Sequence, residues 1–242
     1  MDFFLTNKYF METPEHKTAS ASANQELKAL LEIENTNRRG AWYNCLTNCL
    51  PYANFTSGEP EILFNPAGFT YYNLELTNIP EDRTLITNYT IPTLIDTFLI
   101  SEGVGISIEA RTPTKAVDIS YGDILGFHLY RTFAEPENHL FKTNKPRASI
   151  IGEETEIVIN DVPEQVLPTT SIELLDAIIL HYGFNDAKIK LIYLPEMEQY
   201  ELVFSINTNQ MTSSKIQALV QKLGWFLPRY YSYLICDLNQ YE

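Results

Sequence analysis

Cysteines, basic residues and long apolar runs are all scarce in this chain. The cysteines are Cys45, Cys49 and Cys236, and this odd number excludes a disulfide framework and favours a reducing compartment. No apolar run reaches the roughly 18 residues of a membrane-spanning helix. The amino-terminal residues have no basic stretch ahead of a continuous apolar one, so they do not resemble a secretory signal. We therefore expect a cytoplasmic protein.

Basic residues are outnumbered: 17 Lys and Arg stand against 31 Asp and Glu, which gives a formal net charge of -14. A negative field repels phosphate groups, and this argues against nucleic acid and against an anionic membrane surface as partners. A protein with a basic surface fits better, because opposite charges speed encounter and disfavour wrong partners. Solubility alone also explains an acidic surplus, and the sequence leaves both interpretations open.

Motifs of catalysis, metal binding and cofactor binding are missing as well. Cys45 and Cys49 are four residues apart, which places them on one face of a helix. Two thiols alone are an incomplete zinc site. Two cysteines that are buried as small apolar side chains are the more common case. Gly103 and Gly105 lack the third glycine of a dinucleotide loop. We predict no catalytic residue, no metal and no cofactor; a hydrolase built around Cys45 or His128 stays an alternative. The histidines form no metal-binding pattern: His16, His128, His139 and His181.

Hydrophobic periodicity predicts helices and strands through the first part of the chain. After a polar, mobile lead-in over residues 1–23, Ser22 or Asn24 opens a helix whose leucines recur at helical spacing. A second short helix carries Trp42 and ends at Pro51. Runs of β-branched and aromatic residues between Pro, Gly and Asn then predict strands at 62–64, 69–76, 84–90 and 104–110.

Two capping boxes mark helix starts further along the chain. Ser120 with Asp123, and Thr170 with Glu173, have the spacing at which two side chains satisfy the free backbone N–H groups of a first turn. The second of these helices ends at Gly183. The remaining elements are predicted as strands at 188–194, 200–206 and 231–238, and a helix from Thr212 or Ser213 to Gly224.

A change in composition between Ala134 and Pro168 divides the chain into two parts. Prolines punctuate this stretch, and a basic patch gives way to an acidic one. We predict the α+β fold class, with two α+β domains, each a small, mostly antiparallel sheet with helices packed on it. The predicted order is the lead-in at 1–23, an N-terminal domain at 24–149 and a smaller C-terminal domain at 150–242.

Two groups of residues are candidates for contact with a partner. The acidic group consists of Glu153, Glu154, Glu156 and Asp161, and the aromatic group of Trp225, Arg229, Tyr230 and Tyr231. Protein interfaces favour Tyr, Trp and Arg, but aromatic residues also pin a helix against a sheet. An acidic run is equally typical of a solvated linker.

The opening of the chain resembles a known family. The stretch from Asn24 to Leu31, the pair Arg38 and Arg39, and the stretch from Trp42 to Leu46 are similar to the opening of the enhanced-serine-sensitivity (SseB-type) family. Residues 84–98 and 170–238 match its later segments in order, whereas residues 117–131 have no counterpart. The resemblance implies no enzyme and assigns no functional residue.

These observations support one functional hypothesis and two alternatives. The chain is expected to be a non-catalytic acidic binding protein, in concrete form a bacterial immunity-type protein that neutralises a basic toxin or effector. The first alternative is a housekeeping or regulatory protein linked to amino-acid metabolism, which predicts a small-ligand pocket between the two halves. The second is a hydrolase that no motif reveals.

Overall fold

The computed structural model describes residues 14–77, 88–142, 156–207 and 212–238, with the backbone alone for residues 14–19. The helices are α1 (Pro14–Leu31), α2 (Gly40–Cys49), α3 (Ile91–Leu94), α4 (Ile100–Glu102), α5 (Tyr121–Tyr130), α6 (Thr169–His181) and α7 (Ser213–Phe226), and a π-helical turn at Ile95–Leu99 joins α3 to α4. Short 3-10 turns lie at Asn35–Asn37, Leu50–Tyr52 and Pro195–Met197. The strands are β1 (Asn54–Phe64), β2 (Thr70–Leu76), β3 (Tyr89–Thr90), β4 (Gly105–Ile108), β5 (Val117–Ile119), β6 (Val158–Asn160), β7 (Lys188–Leu194), β8 (Gln199–Ser205) and β9 (Tyr233–Cys236).

The first sheet has the strand order β3-β1-β2-β4-β5 and is antiparallel except where β2 runs parallel to β4. Neighbouring residues of β2 point to opposite faces, as the strand pleat requires. On one face Tyr72 contacts Phe98, with ring centroids 5.0 Å apart. On the other face Tyr71 contacts Trp225 of α7, at 5.6 Å. The sheet is therefore covered on both sides by other parts of the chain.

The second sheet has the order β6-β7-β8-β9, and β8 and β9 form its parallel pair. The β7–β8 hairpin around Pro195–Met197 joins the strands that the sequence predicts at 188–194 and 200–206. Leu202 and Phe204 of β8 join the main hydrophobic cluster, whereas Val203 joins a smaller one on the opposite face. This alternation explains why Leu202, Val203 and Phe204 are three consecutive apolar residues: both faces of the strand are covered at this point.

The two sheets share one hydrophobic core. A single cluster of buried side chains includes Leu74 and Ile106 of the first sheet and Leu202 of the second. The hydroxyl groups of Tyr121 and Ser171 also form a buried hydrogen bond of 2.8 Å between α5 and α6. The residues around the predicted boundary at 150 lie outside the described ranges, so the division into two domains stays a prediction.

The fold class is confirmed, because helices pack on two mixed, mostly antiparallel sheets. Two helix starts differ from their predicted positions. Helix α1 begins at Pro14, so residues 14–23 belong to a helix and not to a lead-in. Asn24 does not cap it: its side chain accepts a hydrogen bond from the backbone of Asn54 (2.8 Å) and ties the helix to β1.

The second capping box is also corrected. Helix α6 begins after Pro168 without a side-chain cap, and Ser171, predicted inside the cap, is fully buried. The exposed carboxylate of Glu164 instead accepts the hydrogen bond from the backbone of Thr169, at 3.2 Å. Helix α7 continues past Gly224 to Phe226. Within the described ranges, no helix combines the length and the apolar character needed to cross a membrane.

Candidate functional site

A cleft of about 280 Å³ lies between α2, α5 and the segment that follows α7. We call it the α2–α5 cleft. Helix α2 contributes one wall, the first turns of α5 and the segment after α5 contribute the second, and the segment after α7 closes it. The lining residues are Tyr43, Asn44, Thr47, Gly122, Asp123, Gly126, Thr132, Phe133, Ala134, Glu135, Pro228, Arg229 and Tyr230.

Two glycines of α5 allow the segment after α7 to lie directly against the helix. A Cβ atom on Gly122 would collide with the carbonyl oxygen of Leu227, and one on Gly126 would lie 3.0 Å from the hydroxyl of Tyr230. Backbone atoms cannot move aside as a flexible side chain can. The spacing of these glycines, one helical turn apart, therefore fixes the position of Arg229 and Tyr230 beside α5.

The start of α5 holds a carboxylate at one end of the cleft. Ser120 and Asp123 form the predicted capping box, with each side chain bonded to the other residue's backbone N–H. The second oxygen of Asp123 accepts a hydrogen bond of 2.6 Å from Nε of Arg229. Asp123 is largely buried while most of the Arg229 side chain is exposed, so the carboxylate anchors the guanidinium at the surface.

A second carboxylate belongs to Glu135. Its Oε1 lies 3.0 Å from Nε2 of His139, whose side chain is wholly buried, while 61% of the glutamate side chain is exposed. The imidazole packs on Tyr230, with ring centroids 4.8 Å apart. Burial raises the pKa of Tyr230, so this phenol stays protonated at neutral pH. The histidine thus fixes Glu135 at the cleft edge with the carboxylate facing solvent.

Aromatic side chains complete the rim. Tyr43 is 51% exposed and is held from behind by an edge-on contact with the buried Trp42, at 4.9 Å between ring centroids. Phe133 packs on Phe127 of α5 at 4.6 Å. The cleft therefore presents a supported tyrosine, an anchored arginine and an exposed carboxylate on one concave surface.

Two of the four residues in the predicted aromatic group line the cleft, and the other two are buried in the core. Arg229 and Tyr230 line the α2–α5 cleft. Trp225 and Tyr231 are only 9% and 4% exposed, and we remove them from the partner-binding set. Trp225 packs between the halves, and the Tyr231 hydroxyl donates to the carbonyl of Val166 at 2.7 Å. Burial of apolar rings, the alternative that the sequence left open, explains these two positions.

The described members of the predicted acidic group do not line this cleft. Glu153 and Glu154 lie outside the described residues. Glu156 is exposed, and the exposed Asp161 accepts a hydrogen bond of 2.6 Å from Lys190 of β7. This contact holds the pKa of Asp161 below its usual range. The sequence-based prediction did not include Tyr43 and Glu135, which line the cleft. The spacing of Gly122 and Gly126 in α5 does indicate from the sequence that another segment packs closely against this helix.

The hydrolase alternative depends on Cys45 and His128, and no hydrogen bond in the described part of the chain joins these two residues. Cys45 is exposed on α2, and Nδ1 of His128 lies 3.7 Å from Oδ1 of Asp96. Burial raises the pKa of the Cys49 thiol to about 11, so this thiol stays protonated at neutral pH. In the described part of the chain, no group of three or more His, Cys, Asp or Glu side chains is arranged to hold a metal ion.

A second concave surface lies where the two halves meet. We call it the junction groove; its volume is about 360 Å³. The tip of the β1–β2 hairpin lines one side, and α6 and α7 line the other. Its residues are Gly68, Phe69, Thr70, Gly103, Leu174, Ala177, Ile178, His181, Tyr182, Lys222, Trp225 and Phe226.

No family model matches the sequence, and comparison with curated proteins and with solved structures finds no similar protein. The similarity to the SseB-type family therefore stays a resemblance of pattern. The features of this chain that bear on its function are therefore its two concave surfaces and its negative charge.

Proposed function

We propose that this chain is a non-catalytic binding protein that docks a protein with a basic surface through the α2–α5 cleft. One observation carries the proposal: the cleft presents Tyr43, Arg229 and Glu135 together, each supported from behind by a buried residue or a capped helix. Tyrosine and arginine contribute most to binding energy at protein interfaces, particularly when they are held in place before binding.

Charge supports a cationic partner. The chain carries 31 acidic against 17 basic residues, and this surplus attracts a basic protein over a distance of about 10 Å at moderate salt. Within the cleft, Arg229 compensates the carboxylate of Asp123, whereas Glu135 faces solvent. Glu135 is thus the carboxylate available to a lysine or arginine of the partner.

In its most specific form, the proposal is a bacterial immunity-type protein that covers the active surface of a basic toxin or effector. An inhibitor of this type needs fast association and a rigid contact surface. The acidic field supports the first property. The close packing of Leu227 and Tyr230 against the two glycines of α5 supports the second.

Replacing Tyr43 with alanine is expected to weaken partner binding by about 2 kcal/mol, or roughly 30-fold, because this supported, exposed tyrosine becomes buried against the partner. Tyr52 is the matched control, since it is 58% exposed, more than Tyr43, and does not line the cleft. The tagged protein is expressed in its own cells and purified at low ionic strength. The recovered partner is then titrated calorimetrically against both variants.

The expected result is a basic partner that binds the wild type and Tyr52→Ala equally and binds Tyr43→Ala weakly. Glu135→Gln should reduce affinity for the same partner by a smaller factor, because the contact at the cleft edge stays partly solvated. Recovery of an acidic partner, or equal loss of binding in both tyrosine variants, would contradict the assignment of the cleft.

A second candidate function is a regulatory protein linked to amino-acid metabolism. Such a protein is expected to have a small-ligand pocket between its two halves. The junction groove is an observation that favours it, because Phe69 and Thr70 of the first half and Ile178 and Phe226 of the second line the same opening. A thermal-shift screen of amino acids and related metabolites tests this candidate independently of protein binding.

A further inference from the structure

The junction groove has the size and lining of a small-molecule site. Its volume of about 360 Å³ falls within the roughly 300–1,000 Å³ typical of ligand pockets. Phe69, Trp225 and Phe226 provide aromatic walls, and Leu174 and Ile178 provide aliphatic ones. Such a surface favours a ligand with an apolar body.

Lys222 is the lysine of this groove, whose lining also includes the polar groups of Thr70, His181 and Tyr182. Its Nζ donates a hydrogen bond of 3.0 Å to the carbonyl of Gly68 and lies 4.2 Å from the ring centroid of Phe69. Burial lowers the pKa of this ammonium group. A lysine ammonium has three donors, and only one is used by this carbonyl.

Among the described residues, no carboxylate forms an ion pair with Lys222. By contrast, Lys115 pairs with Glu32 at 2.5 Å and Lys190 pairs with Asp161 at 2.6 Å. The ammonium of Lys222 is thus partly buried, has no such counter-ion in the described part of the chain, and faces an apolar groove. This ammonium can therefore bind a negatively charged group of a ligand.

We propose that the junction groove binds a small amphipathic monocarboxylate, with its apolar body between α6 and α7 and its carboxylate accepting a hydrogen bond from Lys222. This inference rests on the second candidate function and names its ligand class. A single ammonium matches a single negative charge, whereas a phosphate dianion is normally held by several converging donors. A cationic ligand would be repelled by Lys222.

The binding test uses Trp225 as the reporter. The only other tryptophan is Trp42, which lies on α2 and not in the groove. A Trp42→Phe background therefore leaves fluorescence that reports on the groove alone. The probes are octanoate and 3-phenylpropionate, and 3-phenylpropanamide serves as the uncharged analogue of the second. Saturable changes in emission are expected with both carboxylates.

Lys222→Gln is expected to weaken binding of 3-phenylpropionate roughly tenfold, since it removes the ammonium but keeps a donor of similar length. Lys215→Gln is the matched control. Lys215 lies on the same helix and over another aromatic ring, Phe184, with its Nζ 5.5 Å from the centroid, but it does not line the groove. Thermal unfolding of both variants verifies that each is folded.

The variant Ala177→Trp tests whether the ligand occupies the groove, because it blocks the opening and leaves the charge of Lys222 unchanged. Ala177 is exposed on α6 and lines the groove, so a large side chain there fills the opening without entering the core. Calorimetry, which does not depend on the added indole, should show that this variant binds neither carboxylate, and its unfolding temperature should be unchanged.

Three other outcomes would overturn the carboxylate inference, and one of them would also overturn the second candidate function. Equal affinity for the amide and the carboxylate, blocked by Ala177→Trp, would overturn the carboxylate inference and leave the second candidate function standing. Equal weakening by Lys215→Gln and Lys222→Gln would also overturn the inference. Absence of any saturable change, together with a metabolite screen without hits, would overturn both.

Discussion

Replacing Trp225 with alanine is expected to lower the free energy of unfolding by about 3–5 kcal/mol, the range for truncating a buried tryptophan. Trp225 belongs to α7 of the second half, yet its contacts reach the first. It stacks on Phe69 with ring centroids 4.7 Å apart, and its Nε1 donates to the hydroxyl of Tyr71 at 3.1 Å. The substitution therefore opens a cavity between the sheets.

Equilibrium denaturation by urea, followed by circular dichroism, measures this effect. Trp225→Phe is the control, because it keeps an aromatic ring in the cavity and removes the indole N–H; a loss of about 1–2 kcal/mol is expected, from the lost hydrogen bond and the smaller ring. A loss below about 1 kcal/mol for Trp225→Ala would show that the two sheets do not depend on one core.

Arg38→Ala is expected to cost about 3 kcal/mol of unfolding free energy. The Arg38 side chain is buried and donates to three carbonyl groups, those of Ile33, Lys115 and Ala116, at 3.0, 2.7 and 2.9 Å. Its guanidinium also lies 4.3 Å from the ring centroid of Trp42. Removal leaves the carbonyls without their charged donor and the indole without its cation.

Two further variants separate charge from geometry at this position. Arg38→Lys keeps the positive charge, but one ammonium cannot reproduce a planar fork that reaches three acceptors, so most of the stability loss should remain. Arg39→Ala is the matched control, since the neighbouring arginine is exposed and should change stability by less than about 0.5 kcal/mol. Thermal and urea denaturation of the three variants give the comparison. Equal losses for Arg38→Ala and Arg39→Ala would contradict this role.

Features that depend on neighbouring residues were predictable from the sequence. The capping box of Ser120 and Asp123 and the two strands of the β7–β8 hairpin follow from side-chain spacing and turn residues. The fold class follows from these elements, because amphipathic helices and half-apolar strands bury their apolar faces only by packing together.

Features that depend on distant residues were not predictable in this way. Asn24 and Ser171 are of residue types that favour helix caps. Their side chains instead form hydrogen bonds with Asn54 and Tyr121, which are far away in sequence. The α2–α5 cleft likewise combines a helix near the start of the chain with a segment near its end. Periodicity also cannot distinguish a buried Trp225 from an exposed Tyr43, because both belong to aromatic stretches.

The central claim is that an acidic binding protein docks a basic partner through the α2–α5 cleft. The most direct test is the association rate constant of the purified complex as a function of salt concentration, measured by stopped-flow mixing for the wild type and Glu135→Lys. We predict a rate that falls at least tenfold between low and high ionic strength, and a slower rate for Glu135→Lys at low salt. A rate independent of salt and unchanged by Glu135→Lys would contradict the claim.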